Sequence, residues 1–386
     1  MEDAEVVVIG AGPAGSVAAD EIAKAGRNVV LVEKASYPGE TNVCGGGTPV
    51  ENADAFEIPS YVRERTISKW VCYFPNETFS FDIPFVSMRR CVFDRFLGER
   101  AASRGARLLT RTLATDVAVS NEFALVKLRD VSKNFDFEIK CQLVVFADGP
   151  ASLGARKFKG LGFQRRPDST FQGLVYEVEM KDNALDSMNL YFDPRIAPWG
   201  YGWLFPKGEV INAGICGLMS LWHEMGGENM RGRLNYFVKE HAQSSEITLN
   251  RKIVDMQAAI IPIEMADKMY GNRVIFVGDA AGMVEPFTAG GNEFAMRGGK
   301  IAGAVALKAL KERKYGENML SRFQKEWLKT TDGKELLRLQ KAFMNCVNLQ
   351  RKGKIDEITS YLGFYHKLAE QAAKNRVYLA SKAKHA

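Results

Sequence analysis

The sequence predicts an α/β protein in which a parallel-sheet domain is interrupted by an antiparallel-sheet domain and followed by C-terminal helices. Residues 5–34 have the pattern of strand, glycine turn, helix and strand, which is a βαβ unit. From about 170 to 217, apolar and polar residues alternate around turn signals, as is typical of antiparallel strands. Residues 317–385 have an amphipathic, mostly helical pattern. These three observations define the fold class.

The remaining elements follow from the same patterns. We expect a helix over 90–104, short strands across 107–147 and an Ala/Gly-rich helix over 291–314, while residues 66–83 can add two strands to the antiparallel sheet. The parallel-sheet domain is therefore assigned to three separate segments, 1–60, 88–160 and 266–315. The antiparallel-sheet domain is assigned to 61–87 and 161–265, and the C-terminal helical region to 316–386.

Composition and cysteine usage exclude several protein classes. The 386 residues are 46% apolar and 25% charged, which is typical of a globular rather than a disordered chain. No apolar run reaches the roughly 18–20 residues that a membrane-spanning helix needs, and Val6–Ile9 is too short for a signal peptide, so we expect a cytoplasmic protein. The six cysteines are scattered, which indicates neither disulfides nor a metal site.

Positive charge is concentrated at the C-terminal end. Residues 301–386 hold 18 Lys and Arg against 8 Asp and Glu, although the whole chain has a net charge of only +6. A basic tail suits an anionic partner such as a lipid surface, an acidic protein or nucleic acid. A solvated helical face rich in Lys is the alternative interpretation.

The first strand leads directly into a dinucleotide-binding fingerprint. Gly10 allows a tight turn, Gly12 lets the backbone approach a pyrophosphate, and Gly15 lets the helix pack closely on the strand; Ala14 lies within the same turn. The phosphates would bind at the helix N-terminus, where N–H groups and the dipole favour negative charge. Glu33 ends the second strand, where a carboxylate accepts hydrogen bonds from ribose and disfavours a 2′-phosphate.

Three further segments resemble the glutathione-reductase-type FAD fold, in the branch that includes aromatic hydroxylases. They are Arg90-Cys91-Val92-Phe93-Asp94, the strand that ends in Asp148-Gly149, and the strand that ends in Gly278-Asp279 with Gly290-Gly291 after it. The resemblance implies that Arg90 and Asp148-Gly149 contact the flavin nucleotide, and that Ala114 touches the adenine. Asp279 can bind the ribityl hydroxyls, and the helix opened by Gly290 and Gly291 would face the flavin pyrimidine. Asn292-Glu293 follows where many relatives have Ile.

Two segments narrow the resemblance to geranylgeranyl reductases, within which archaeal-type lipids are the preferred substrates because the chain is short and its basic tail suits an anionic headgroup surface. Residues 198–206, Pro-Trp-Gly-Tyr-Gly-Trp-Leu-Phe-Pro, match the PxxYxWxFP motif of that family residue for residue. Cys44-Gly45-Gly46-Gly47 falls where these enzymes carry a Cys-Gly-rich loop beside the flavin ring. The resemblance spans Gly10 to about Gly303 and implies an FAD enzyme that hydrogenates isoprenoid double bonds.

An isoprenoid chain is apolar and offers no hydrogen-bonding group, so its site must have apolar, aromatic walls. Tyr201, Trp203 and Phe205 alternate along one strand and therefore share a face that can form such a wall; ordinary core packing is the alternative interpretation. Reduction of the alkene also requires a proton, for which Tyr201 and Cys44 are the candidate donors. For Cys44 a merely structural role is the alternative.

The expected function is hydrogenation of C=C bonds in geranylgeranyl chains of membrane lipids by hydride transfer from reduced FAD. The prenyl chains of chlorophyll precursors or of a quinone are alternative substrates, and a flavin monooxygenase or a prenyl-GTPase escort protein without flavin is a more distant alternative. Only one GxGxxG is present, so NAD(P)H would bind transiently or ferredoxin would deliver the electrons. We expect peripheral contact with the inner face of the membrane through helices such as 334–349 or 355–373, and no nucleic-acid partner. Packing of these helices as an ordinary helical cap is the alternative interpretation.

Overall fold

The computed structural model describes residues 2–41, 43–180, 185–197, 199–224 and 230–352. The chain divides into two compact units. The first comprises Met1–Cys44, Arg89–Thr170 and Ile261–Lys341, and the second comprises Gly45–Met88, Phe171–Ile260 and Ala342–Ala386. The domain limits expected from the sequence differ from these units mainly at 45–60 and 316–341, and they stay a prediction.

The strands, in chain order, are β1 (Glu2–Asp3), β2 (Val6–Ile9), β3 (Val29–Val32), β4 (Gly47–Pro49), β5 (Arg65–Tyr73), β6 (Thr78–Ser87), β7 (Arg107–Leu109), β8 (Thr112–Val119), β9 (Ala124–Asp130), β10 (Phe135–Cys141), β11 (Leu143–Phe146), β12 (Thr170–Glu179), β13 (Ser187–Tyr191), β14 (Tyr201–Lys207), β15 (Val210–Leu218), β16 (Ile253–Pro262), β17 (Tyr270–Gly271) and β18 (Val274–Phe276).

The α-helices are α1 (Pro13–Lys24), α2 (Val50–Ala55), α3 (Arg90–Ser103), α4 (Leu153–Lys157), α5 (Met219–Glu224), α6 (Met230–Lys239), α7 (Ala242–Thr248), α8 (Asn292–Glu312), α9 (Glu317–Lys329) and α10 (Thr331–Arg351). Short 3₁₀ helices cover Pro167–Ser169 and Gly278–Ala281. The helices expected over 90–104 and 291–314 are confirmed as α3 and α8. Of the predicted C-terminal helices, 355–373 lies outside the described residues.

The first unit contains a six-stranded sheet in the order β17-β18-β11-β2-β3-β7. All of its pairs are parallel except β17 with β18. Strands β2, β3 and β11 are buried along their whole length, which explains their unbroken runs of Val, Leu, Ile and Phe. A smaller sheet in the order β1-β10-β9-β8 belongs to the same unit. The predicted βαβ unit is confirmed as β2-α1-β3.

The second unit is built on an eight-stranded sheet in the order β16-β12-β15-β14-β13-β5-β6-β4. Strands β12, β15, β14 and β13 pair antiparallel, as their alternating pattern predicts, and β5 and β6 confirm the two strands expected in 66–83. One pair departs from the expected pattern, because β13 runs parallel to β5. More than a hundred residues separate these two strands, so no hairpin dictates their direction.

Helices α1 and α8 approach each other through small residues. A side chain at Gly299 would place its Cβ 2.3 Å from the carbonyl oxygen of Ala14, and one at Gly303 would lie 3.0 Å from that of Ala18. Glycine on α8 therefore lets the backbone of α1 come into direct contact, and both helices contribute buried residues to the core of the first unit. No helix among the described residues is long and apolar enough to cross a membrane.

This packing predicts that Gly299→Val lowers the free energy of unfolding by about 1–3 kcal/mol, because the added side chain overpacks a backbone contact. Urea denaturation measures the change. Gly316→Ser is the matched control, since Gly316 begins α9 with open space around it and serine is a favourable N-cap there. Equal stability of Gly299→Val and the unaltered protein would contradict the close approach of the two helices.

Candidate functional site

The glycine turn after β2 has the close contacts that the fingerprint predicts. Gly10 has a φ of +98°, and a Cβ there would lie 2.4 Å from the carbonyl oxygen of Ala147; a Cβ at Gly15 would lie 1.9 Å from that of Gly10. Gly12 caps α1 without any side-chain hydrogen bond, and a Cβ at this position would have only Arg90 Nη2 nearby, at 4.0 Å. The helix N-terminus thus has free N–H groups and space in front of them, which suits an anionic group.

Glu33 lies directly beside this turn. Its carboxylate accepts hydrogen bonds from the backbone N–H of Ala11 at 3.1 Å and of Ala35 at 2.9 Å. Its carbonyl oxygen accepts from the N–H of Thr112 at 2.8 Å, at the start of β8. Ala114 follows two residues later, half-buried on that strand. The structure therefore brings Glu33 and the strand that carries Ala114 to the end of β3.

Arg90 begins α3 and forms a two-bond ion pair with Asp94, with both nitrogen–oxygen distances at 2.7 Å. Asp94 is fully buried. Burial alone would lower the pKa of the Arg90 guanidinium, but Asp94, and to a smaller extent the neighbouring Cys44, hold that pKa above its ordinary value. Arg90 thus stays charged within a mostly buried setting.

A second group of predicted residues lies near Arg90. Asn292 Nδ2 contacts Cys44 Sγ at 3.8 Å, and a Cβ at Gly291 would lie 3.7 Å from Asp279 Oδ1. Burial raises the pKa of the Asp279 carboxyl, and the charge of Arg90 opposes that rise. Helix α8 begins here, and its N-cap Gly291 makes no side-chain hydrogen bond. The N-cap residues of α1 and α8 are therefore both glycines, which have no side chain to bond the first N–H groups of the helix.

Gly290 and the Asp148-Gly149 segment complete the set predicted for this unit. The carbonyl oxygen of Gly290 accepts from the N–H of Glu285 at 2.9 Å. Asp148 follows β11, and its Oδ2 accepts from the N–H of Leu153 at 2.7 Å, at the start of α4. Burial raises the pKa of the Asp148 carboxyl. Gly149 has a φ of +79°, with open space where a side chain would be.

In the second unit, Tyr201, Trp203 and Phe205 lie on one face of β14, as their alternation predicts. Their ring centroids are 5.7 Å apart between the first two and 6.2 Å between the last two. Gly214 pairs with Trp203 across the sheet, and a Cβ on it would lie 2.2 Å from the indole. The absence of a side chain at Gly214 gives the indole its space, so the three rings form one continuous aromatic row. Pro198 of the motif lies outside the described residues.

The three glycines after Cys44 lie against this aromatic row. A Cβ at Gly45 would meet the Phe205 ring at 2.9 Å, and one at Gly47 would meet the Phe85 ring at 2.2 Å. Gly46 has a φ of +66°, and a Cβ there would lie 2.2 Å from the carbonyl oxygen of Met88. Glycine is therefore required by protein contacts here, and the predicted contact with a flavin ring stays a prediction.

Several polar residues near these groups were not selected from the sequence. Asp94 was predictable, since it lies four residues after Arg90 on a helix. Glu177, Asn212 and Lys207 form a polar chain beside Trp203, and only the strand register brings them together. No group of His, Cys, Asp or Glu suited to a metal ion occurs in the part of the chain that the structure describes.

Two family models match the chain in sequence order. The model for FAD dependent oxidoreductases matches residues 5–157, and that for the geranylgeranyl reductase catalytic domain matches residues 168–261. The first range contains the glycine turn, Glu33 and Arg90, and the second contains the aromatic row. Asp279, Gly290, Gly291 and Asn292 lie beyond both matched ranges.

A crystal structure of a geranylgeranyl bacteriochlorophyll reductase-like protein from Thermoplasma acidophilum has the same fold. Its TM-score is 0.77 at 23% sequence identity, and the match covers 94% of this chain and 96% of that protein. This likeness confirms the predicted fold class.

Curated relatives match over most of their length. Digeranylgeranylglycerophospholipid reductase 3 of Methanosphaera stadtmanae is 31% identical, with 84% of this chain and 82% of the relative covered. Digeranylgeranylglycerophospholipid reductase 1 of Methanothermobacter thermautotrophicus is 31% identical, with coverage of 89% and 91%. The resemblance inferred from the sequence motifs is therefore confirmed, and the chain belongs to the digeranylgeranylglycerophospholipid reductase family of FAD-dependent oxidoreductases.

Proposed function

We propose that the protein is an FAD-dependent reductase that hydrogenates C=C bonds in the geranylgeranyl chains of membrane lipids. The observation that carries the proposal is the aromatic row of β14, which lies within the segment matched by the geranylgeranyl reductase catalytic domain. An apolar chain without hydrogen-bonding groups is recognised by such a surface through burial and ring contacts. The names of the curated relatives support the same substrate class.

FAD fits the residues of the first unit. Gly10, Gly12, Ala14 and Gly15 would hold its pyrophosphate at the uncapped N-terminus of α1, where the space in front of Gly12 is open. Glu33 would accept from the ribose, because its two oxygens have acceptor capacity beyond the two backbone N–H groups that they already bind. Ala114, Asp148 and Gly149 would border the nucleotide.

The flavin end would be held by the group around Arg90. We assign to it Cys44, Asp279, Gly290, Gly291 and Asn292, while contact of Gly45, Gly46 and Gly47 with the flavin ring stays a prediction. Arg90 supplies a permanent positive charge, and the uncapped start of α8 adds a second positive potential. When bound, FAD supplies the hydride for the reaction. The residues of the chain then have to hold the alkene, exclude water and provide a proton.

Tyr201 and Cys44 are the two candidate proton donors. The Cys44 thiol contacts the Asn292 amide at 3.8 Å, and Tyr201 is almost fully buried in the aromatic row. Cys216 pairs with Tyr201 across the sheet, and burial raises the pKa of its thiol to about 12, so that thiol stays protonated at neutral pH.

An archaeal-type lipid is the preferred substrate, with the prenyl chains of chlorophyll precursors or quinones as alternatives. NAD(P)H or ferredoxin as electron donor and contact with a membrane surface stay predictions. For helix 334–349, the apolar stripe consists of buried residues, namely Leu336, Phe343 and Val347. This burial favours the alternative interpretation, that the helix packs against the protein as an ordinary helical cap.

The decisive experiment is a visible spectrum of the purified protein, followed by anaerobic reduction with dithionite and addition of a geranylgeranyl lipid. We expect a yellow protein whose reduced flavin reoxidises on addition of the lipid, and a lipid product heavier by pairs of hydrogen atoms in mass spectrometry. A yellow protein that ignores the lipid would overturn the proposed substrate. Rapid NAD(P)H oxidation with oxygen uptake would favour a monooxygenase instead.

Because the space at Gly12 is open, we expect a substitution there to weaken FAD binding without destabilising the fold. Gly12→Ala should weaken FAD binding by at least about 10-fold, because its methyl group projects toward the bound pyrophosphate, while the melting temperature of the FAD-free protein falls no more than in the capping control below. Titration of the FAD-free protein with FAD measures the affinity. Gly316→Ala, at the open N-cap of α9, is the control and should change neither quantity beyond a small capping effect. Normal FAD affinity of Gly12→Ala would contradict the assigned pyrophosphate position.

Substitution of each candidate proton donor shows which of the two provides the proton. Loss of a general acid lowers the rate by about 100-fold or more, so either Tyr201→Phe or Cys44→Ala should reduce kcat by that factor with little change in KM. Single-turnover reoxidation of the reduced enzyme by the lipid measures the effect. If Cys44→Ala retains the full rate, Cys44 has no catalytic role. If both variants retain it, the proton comes from another group.

A further inference from the structure

A chain of polar side chains lies within the eight-stranded sheet, beside the aromatic row. Phe205 pairs with Asn212 on β15, and Asn212 pairs in turn with Glu177 on β12. Because directly paired residues project from the same face of a sheet, Asn212 and Glu177 lie on the face that carries the aromatic rings. Lys207 lies two residues after Phe205 and therefore shares this face.

Hydrogen bonds connect these residues to the central ring of the row. The Trp203 indole Nε1 donates to Asn212 Oδ1 at 2.7 Å, and Asn212 Nδ2 donates to Glu177 Oε1 at 2.6 Å. Lys207 Nζ lies 3.5 Å from the same carboxylate oxygen. The chain thus runs from a buried ammonium through a carboxylate and an amide to the indole.

Burial makes each of these contacts energetically important. Trp203 is 5% exposed, Asn212 1% and Lys207 2%. An indole N–H or an ammonium at such depth is costly unless it has a partner. Asn212 links the indole to the carboxylate, because its carbonyl oxygen accepts from Trp203 and its amide nitrogen donates to Glu177. Its amide therefore cannot rotate without breaking both bonds.

The surroundings leave the indole little freedom. Gly214 lies beneath the ring, where a Cβ would come within 2.2 Å of it, and a Cβ at Gly45 would lie 3.7 Å from Nε1. A Cβ at Gly46 would lie 2.9 Å from Lys207 Nζ, so the glycine segment passes over both ends of the polar chain. The polar side chains therefore lie close both to the indole and to the glycine segment.

We propose that Asn212, Glu177 and Lys207 are positioning residues that hold the Trp203 indole in one orientation and thereby set the affinity for the isoprenoid chain. The proposal rests on the proposed function, because it assigns the aromatic row to the isoprenoid. A ring that is already fixed loses no side-chain entropy when it binds an apolar chain, whereas an indole without its hydrogen bond would have to be ordered on binding.

The test is a double-mutant cycle on the holoenzyme, with geranylgeraniol in detergent micelles as the probe and titration calorimetry as the readout. Asn212→Leu should weaken binding by about 10-fold, since it removes the bond that orients the indole. Trp203→Phe should also weaken binding, because the smaller ring has no N–H. In the Trp203→Phe background, Asn212→Leu should add less than about 2-fold, because the bond is already absent. A full 10-fold further loss there would overturn the proposal.

A second pair of variants tests the next link and guards against misfolding of Asn212→Leu. Glu177→Ala removes the acceptor that fixes the Asn212 amide and should weaken binding, and Glu177→Gln, which keeps an acceptor oxygen, should recover most of the loss. Tyr176→Phe is the matched control, because Tyr176 donates to Asn235 at 3.0 Å from the neighbouring position of the same strand. It should lower the melting temperature without changing the affinity.

The outcomes separate this proposal from the proposed function. If the unaltered holoenzyme does not bind geranylgeraniol, the proposed substrate class fails. If it binds, but Asn212→Leu and Glu177→Ala bind equally well, the positioning role fails while the function stands. If Tyr176→Phe weakens binding as much as Glu177→Ala does, the effect reflects general loss of stability, and the positioning role is again overturned.

Discussion

The close approach of α1 to its neighbours is the constraint on which the first unit depends. The start of the helix touches the backbone of its own turn through Gly15, and Gly299 on α8 touches it from another side. These contacts allow α1 to begin directly at the end of β2 with its first N–H groups uncovered. A side chain at either glycine would push the helix away, and the anion-binding end would move with it.

A second constraint is the burial of charge near that helix end. Asp94 is fully buried, and Arg90 compensates it through two hydrogen bonds. This pairing fixes the charged guanidinium in place, whereas long cationic side chains on a surface are usually mobile. Arg90 also opposes the rise in the pKa of the Asp279 carboxyl, so its charge acts on a second acidic group beyond its ion-pair partner Asp94.

Local sequence patterns predict the elements whose conformation is determined by residues close together in the chain. The β2-α1-β3 unit, the aromatic alternation of β14 and the start of α8 at Gly291 are of this kind. The parallel pairing of β5 with β13 was not predictable, because residues far apart in the chain decide it. The same holds for Asn212 and Glu177, whose meeting depends on the register of two strand pairs. The glycines after Cys44 suggested a ligand contact, whereas their conformations are already required by Phe205, Phe85 and Met88.

The interleaving of the two units has a consequence for how the chain must be made. Strand β2 pairs with β11, which pairs with β18, so the first sheet is completed only after residues beyond 270 have left the ribosome. The second sheet is likewise built from segments on both sides of an insertion. Contacts over such separations slow folding and leave unpaired strand edges exposed during synthesis. Neither unit therefore corresponds to a continuous piece of the gene, and strand edges of the nascent chain stay unpaired for longer than in a chain built from consecutive domains.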